Sequence, residues 1–160
     1  MEFELRFVSE GSIPKSLTKA HQYRLLNEPM HAESICRDVL GVDEANQQAL
    51  NILLLAITDQ FDSQLQERFS EALVVRTRLS DPYRRVYLEG LIYERRALAI
   101  FRRGGEGVER EVYKGLVQAM ESYERAMELS PSDNDDAILR WNTCVRTMMR
   151  YPQLAPSLTG

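Results

Sequence analysis

Histidine, cysteine and tryptophan are nearly missing from this chain of 160 residues, which holds two, two and one of them. His21 and His31 lie ten residues apart on different predicted helices and neither belongs to a His-Glu-x-x-His or similar ligand motif, so a zinc or other transition-metal centre is not expected. Cys36 and Cys144 form no Cys-x-x-Cys pair, and each falls on an apolar stripe. They read as buried free thiols of a reducing compartment. Long apolar runs are also lacking: Ile52 to Ile57, six residues, is the longest, far below the roughly 20 that span a bilayer. The N-terminus, Met-Glu-Phe-Glu-Leu-Arg-Phe, has neither the basic segment nor the apolar core of a signal peptide. A cytoplasmic protein without a membrane segment is the expectation.

Catalytic and cofactor motifs are equally scarce. Gly104-Gly105-Glu106-Gly107 is the one glycine cluster, but it follows a helical pattern instead of a strand, and no Gly-Lys-Ser/Thr comes after it, so it reads as a helix break. Asp133, Asp135 and Asp136 lack the glycine and distal glutamate of a calcium loop. No enzyme and no cofactor is expected. Net charge is −4 at a pI near 5.3, which argues against a general nucleic-acid binder, whose affinity comes from neutralising phosphates.

What the sequence does contain is helical periodicity. Leu116, Ala119, Met120, Tyr123, Ala126 and Met127 recur at steps of three and four, and so share one face of a helix that Ser130-Pro131 ends. Start and stop signals divide residues 13–150 into seven such segments. Ser12-Ile13-Pro14 starts the first and Asn27-Glu28-Pro29 turns it into the second, which Gly41 ends; Asp43 caps the third and Asp62 the fourth. Ser80-Asp81-Pro82 opens a long fifth helix reaching Arg103, the sixth runs from about Val108 to Leu129, and Asn134-Asp135-Asp136 opens the seventh. Short connections make neighbours antiparallel. The expected fold is all-α, about seven helices in stacked hairpins, with Tyr23, Cys36, Leu53, Phe69, Tyr93, Tyr123 and Trp141 as core anchors. The seventh helix is expected to cap the stack, with Asp135, Arg140, Asn142, Arg146 and Arg150 off its apolar stripe.

Residues 1–12 read as an arm and 151–160 as an extended tail held by Pro152 and Pro156. In the arm Phe3, Leu5 and Phe7 alternate with Glu2, Glu4 and Arg6, which is strand periodicity, yet no other stretch offers a partner strand. The arm either lies across a helical surface, the preferred reading, or pairs with its own copy in a second molecule.

Ala119, Tyr123, Ala126 and Pro131, with Gly90 and Tyr93 upstream, have the spacing of a repeat's second and first helices, and the unit resembles a tetratricopeptide repeat carrying an insertion between Tyr93 and Ala119. Ala20, Tyr23, Ala32, Cys36 and Val39 fall at the same spacing earlier in the chain, with Glu44 where that family has proline. The resemblance implies a short solenoid whose first helices line a concave, peptide-binding surface. Carried over by residue, that surface includes His21, Arg24, Asn51, Leu55, Arg84, Tyr87, Leu91, Arg95, Asn142 and Arg146.

One charge pattern bears on what such a surface binds. Arginine occurs in pairs at 84/85, 95/96 and 102/103, and at 100° per residue the pairs return to within about 20° of the same two helix rows. Six arginines against Glu89 and Glu94 give this helix +4 in an acidic chain. Two readings stand. Either Glu109, Glu111, Glu121 and Glu124 on a neighbouring helix neutralise the rows in weak surface pairs, or one row faces a groove and grips an anionic partner. The expected function is therefore protein–protein interaction, an adaptor or scaffold taking a peptide segment, an acidic one if the arginines face it. The alternative is a self-assembling protein that oligomerises through its arm or an end helix.

Overall fold

The computed structural model describes residues 2–156. Its regular structure is helical: α1 Ile13–Leu25, α2 Pro29–Val42, α3 Gln47–Thr58, α4 Leu65–Thr77, α5 Pro82–Arg103, α6 Glu109–Leu129 and α7 Asp136–Arg150, with 3-10 turns at Glu10–Ser12 and Pro152–Leu154. No strand occurs among the described residues. Each helix packs on the next in the chain, and α1, α3 and α5 also touch in order, so these three form one layer of the stack. This is the all-α stack of helical hairpins that the periodicity implies.

Two apolar cores adjoin along α5. Leu88, Leu91, Ile92 and Ala99 pack into the core of α1 to α4, whereas Ala97 and Ile100 pack with Val112, Leu116, Tyr123, Ala137 and Cys144 of α6 and α7. The α5–α6 hairpin makes the most extensive helix–helix contact, between two helices of about 33 and 32 Å at 1.5 Å per residue. Small residues permit it. A Cβ on Gly90 would lie 2.6 Å from Cε1 of Tyr123, and one on Gly115 would lie 2.9 Å from Cβ of Ala97. The reversal between the two helices places Gly104, Gly105 and Gly107 at φ of 70°, 119° and 77°, a region costly for any residue with a Cβ.

Several local expectations need correction. Gly41 lies inside α2 rather than ending it, in ordinary helical backbone with open space around its Cα, and Asp43 follows as the C-cap. Asn46, not Asp43, caps α3, its side-chain oxygen accepting from the Ala49 amide at 2.9 Å. Asp62 does not cap α4, because Phe61 is drawn into the core at 1% exposure and a run of turns carries the chain on to Leu65. The tail is not extended throughout: Pro152–Leu154 makes a 3-10 turn that buries Leu154, and residues 157–160 lie outside the described residues.

The arm does not lie on the helices. Phe3, Leu5 and Phe7 are 87%, 93% and 86% exposed. On α7 the inward stripe is Ala137, Arg140, Trp141, Cys144 and Met148, so Arg140 belongs to the packed face, while Ile138, Leu139 and Met149 face outward. The cap's outer surface is thus partly apolar. Among the expected anchors Cys36, Leu53 and Tyr123 are fully buried, and Tyr23, Phe69, Tyr93 and Trp141 are half-buried at the edges of the cores.

Candidate functional site

The carboxylates that meet Arg95 and Arg102 of the arginine helix come from the end of α3 and the turn after it. Asp59, the C-cap of α3, accepts from Arg24 Nε at 2.7 Å and Nη2 at 3.2 Å, a two-pronged contact from α1. The other side of the same carboxylate takes Arg95 Nη1 at 2.6 Å, and that nitrogen also donates to Thr58 Oγ1 at 2.7 Å. Burial, the largest influence, pulls the Arg95 guanidinium below its ordinary pKa; Asp59 pushes back, and nearby Arg24 and Arg140 add to the fall. Two arginines share one aspartate here, so this corner keeps surplus positive charge.

A second node ties α5, α6 and α7 together. Glu94 is 1% exposed, and its Oε2 accepts from Tyr123 Oη at 2.7 Å and from Arg140 Nε and Nη2 at 3.0 and 2.7 Å. Burial and then the Glu94 charge drive the Tyr123 hydroxyl far above its ordinary pKa, so it stays a donor. Burial alone would lower the Arg140 pKa, but Glu94 and Tyr123 outweigh it and the guanidinium is held charged.

Beside these nodes runs a trough between α5 and α7. One part, about 260 Å³, is lined by Thr58, Asp59, Asp62, Arg95, Leu98, Arg102 and Arg140. A second, about 360 Å³, is lined by Leu98, Phe101, Arg102, Thr143, Arg146, Thr147, Arg150 and Tyr151. They lie side by side, sharing Leu98 and Arg102 in their linings. Five arginines and two carboxylates therefore face this space. Arg102 reaches Asp62 at 3.0 Å across an exposed contact, while Arg146 and Arg150 have no carboxylate within ion-pair distance among the described residues. Tyr151 stiffens that end, its ring edge-on to Phe101 at 5.0 Å and beneath the Arg150 guanidinium at 5.8 Å.

The residues singled out from the sequence divide accordingly. Arg24 and Arg95 meet at Asp59, and Arg146 lines the trough. Arg84 stands exposed at the start of α5 with no ion pair among the described residues, and Asn51 and Asn142 are half-buried. Tyr87 stacks inward on Tyr83 and Tyr123 at 5.8 and 5.9 Å, so it serves the core. Leu91 is buried, Leu55 half-buried and His21 exposed. In the second arginine row Arg96 is engaged, lying over the Phe69 ring at 4.9 Å and pairing with Glu111 at 3.1 Å, while Arg85 and Arg103 are exposed with no ion pair among the described residues. Among Glu109, Glu111, Glu121 and Glu124, Glu111 alone makes such a pair. Asp59, Asp62, Glu94 and the inward Arg140 were not anticipated, although Arg140 stands three residues after Ala137 and four before Cys144, which is stripe spacing.

A larger cleft of about 870 Å³ lies between the start of α6 and the tail, lined by Arg110, Tyr113, Lys114 and Pro152 among others. Among the described residues no cluster of three or more His, Cys, Asp or Glu could hold a metal ion, and no helix is long and apolar enough to cross a membrane. Comparison with models of known families, with curated proteins and with solved structures found no match to the chain.

Proposed function

We propose that this protein is an interaction module of the helical-repeat kind, which holds an acidic segment of another protein in the trough between α5 and α7. The unequal charge of the trough's lining carries the reading: five arginines face two carboxylates. Arginine suits this task because its planar fork meets a carboxylate with two parallel hydrogen bonds and sheds water more readily than lysine. Arg95 and Arg140 are committed to internal carboxylates, and Arg102 holds Asp62 only across an exposed contact that a ligand carboxylate can replace, which leaves Arg146 and Arg150 free and Arg102 exchangeable.

Spacing narrows the ligand. Arg146 and Arg150 stand one helical turn apart, about 6 Å along α7, and alternate side chains of an extended segment repeat at about 6.6 Å. An extended partner with acidic residues at alternate positions fits both arginines, its other face turned to Leu98 and Phe101. Cys36 and Cys144 are both free and buried, which suits the reducing cytoplasm as the site of action.

The test is a titration of a fluorescent peptide of alternating glutamate and leucine, followed by anisotropy, against the full chain and Arg102→Glu with Arg146→Glu. Both side chains are exposed, so the double variant should melt within about two degrees of wild type. Partly exposed charged contacts sit at the low end of their range, so affinity should fall about tenfold. Raising salt from 0.1 to 1 M, which shrinks the Debye length from about 10 to 3 Å, should weaken the wild type more than the variant. Equal affinities for the two chains would refute the trough as the binding surface.

A further inference from the structure

The arm leaves the 3-10 turn at Glu10–Ser12 as an extended segment. No backbone hydrogen bond among the described residues involves residues 2–8, so both edges of the segment offer free N–H and C=O groups to another strand. Nothing blunts those edges. The seven residues contain no proline and no glycine, and Phe3, Leu5 and Phe7 put their side chains into water at 86% exposure or more.

We propose that residues 2–8 form a homotypic strand that pairs antiparallel with the same residues of a second copy of this chain, with the two-fold axis at Leu5. The register follows from the side chains. Centring on Leu5 sets Phe3 opposite Phe7 of the second copy twice, Leu5 opposite itself, and Glu4 opposite Arg6 twice, so one face of the ribbon is apolar and the other carries two opposite-charge pairs. Centring on Glu4 or on Arg6 instead sets a like-charge pair at the axis, which is destabilising. A shift by one residue turns the apolar set of one strand onto the polar face of the other. A parallel in-register pair stacks Glu4 on Glu4 and Arg6 on Arg6. The arm is therefore complementary to itself in the antiparallel arrangement, and the pairing is isologous, with the same residues contributed by both copies. Two-stranded ribbons are marginal in water, so the dimer is weak and forms as protein concentration rises.

Sedimentation velocity of the full chain over a concentration series tests this. The wild type should move from monomer to dimer. Glu4→Arg and Arg6→Glu should each weaken association about tenfold, because each turns both charge pairs repulsive. These two changes shift net charge in opposite directions, so a common loss is not an effect of net charge. The double variant Glu4→Arg with Arg6→Glu should dimerise like the wild type, and an equimolar mixture of the two single variants should form a heterodimer. Helical content by circular dichroism should be the same in all, since the exchanged side chains of Glu4 and Arg6 stand in solvent. As a check on register, Leu5→Cys should oxidise readily to a covalent dimer and Phe3→Cys should not, the native thiols being buried. A wild type that stays monomeric throughout, single reversals without effect, or a double variant that fails to recover would each overturn the proposal.

Discussion

Replacing Arg140 by leucine removes two hydrogen bonds, at 3.0 and 2.7 Å, from a carboxylate that is 1% exposed, and leaves Glu94 only the Tyr123 hydroxyl. Removing one partner of a buried pair destabilises by about 3–5 kcal/mol, because the remaining charge is stranded away from water. The Arg140 side chain is 31% exposed, so water can enter the space it vacates and the loss should fall at the lower end, about 3 kcal/mol. For a chain of this length that corresponds to a melting temperature lower by about 6–12 °C. Adding Glu94→Gln to the leucine variant removes the stranded charge yet keeps an acceptor for Tyr123, and should recover about 1–2 kcal/mol. Urea unfolding followed by circular dichroism gives all four free energies of the cycle. A single-variant loss below about 1 kcal/mol, or two changes that simply add, would refute the view that this pair locks α7 to α5.

Gly90→Ala should destabilise by about 1–3 kcal/mol, since its Cβ would fall 2.6 Å from a Tyr123 ring that Glu94 holds in place; an unchanged urea midpoint would mean the ring moves aside. Burial raises the pKa of Glu33, but hydrogen bonds and charge from Arg68, at 2.8 Å, and Arg37 outweigh it, so the carboxyl sits below its ordinary 4.5. Its stabilisation is therefore present above the unfolded-state value and is lost as pH falls through the folded one. Glu33→Gln should lower stability at neutral pH and flatten the fall in urea midpoint below about pH 4.5, and curves that stay parallel would contradict this. Burial pushes the thiols of Cys36 and Cys144 up to about 12. A maleimide should accordingly label them only as fast as the protein unfolds, and rapid labelling of the native chain would show that the cores open locally.

The seven helices were legible because their signals are local. Pro14, Pro29 and Pro82 sit in first turns, and the steps of three and four mark the buried faces. The glycines of the α5–α6 reversal announce themselves as a cluster, and Ala119 and Ala126 are as buried as their spacing implies. The candidate site was less legible because it is assembled from distant parts of the chain. Asp59 meets Arg24 and Arg95 from 35 and 36 residues away, and Glu94 meets Arg140 across 46. No periodicity encodes those distances. They depend on how far each helix slides along its neighbour, which side-chain packing decides. Arg140 illustrates a second cause, since a charge within an apolar stripe reads as solvent-facing until its buried carboxylate is found. Asp62 is a third case: a good capping residue in a place where Phe61 anchors the turn and delays the helix, leaving its carboxylate to Arg102.

The proposal that the trough between α5 and α7 holds an acidic segment is tested most directly by NMR. Amide and arginine side-chain resonances of the labelled chain would be followed as the alternating glutamate–leucine peptide is added. Shifts should gather on residues 98–102 and 143–151, with the Arg102, Arg146 and Arg150 side chains moving first, and the outer face of α2 and α4 should stay unchanged. Shifts gathered on α2 and α4, or none in the trough when the peptide is saturating, would contradict the account.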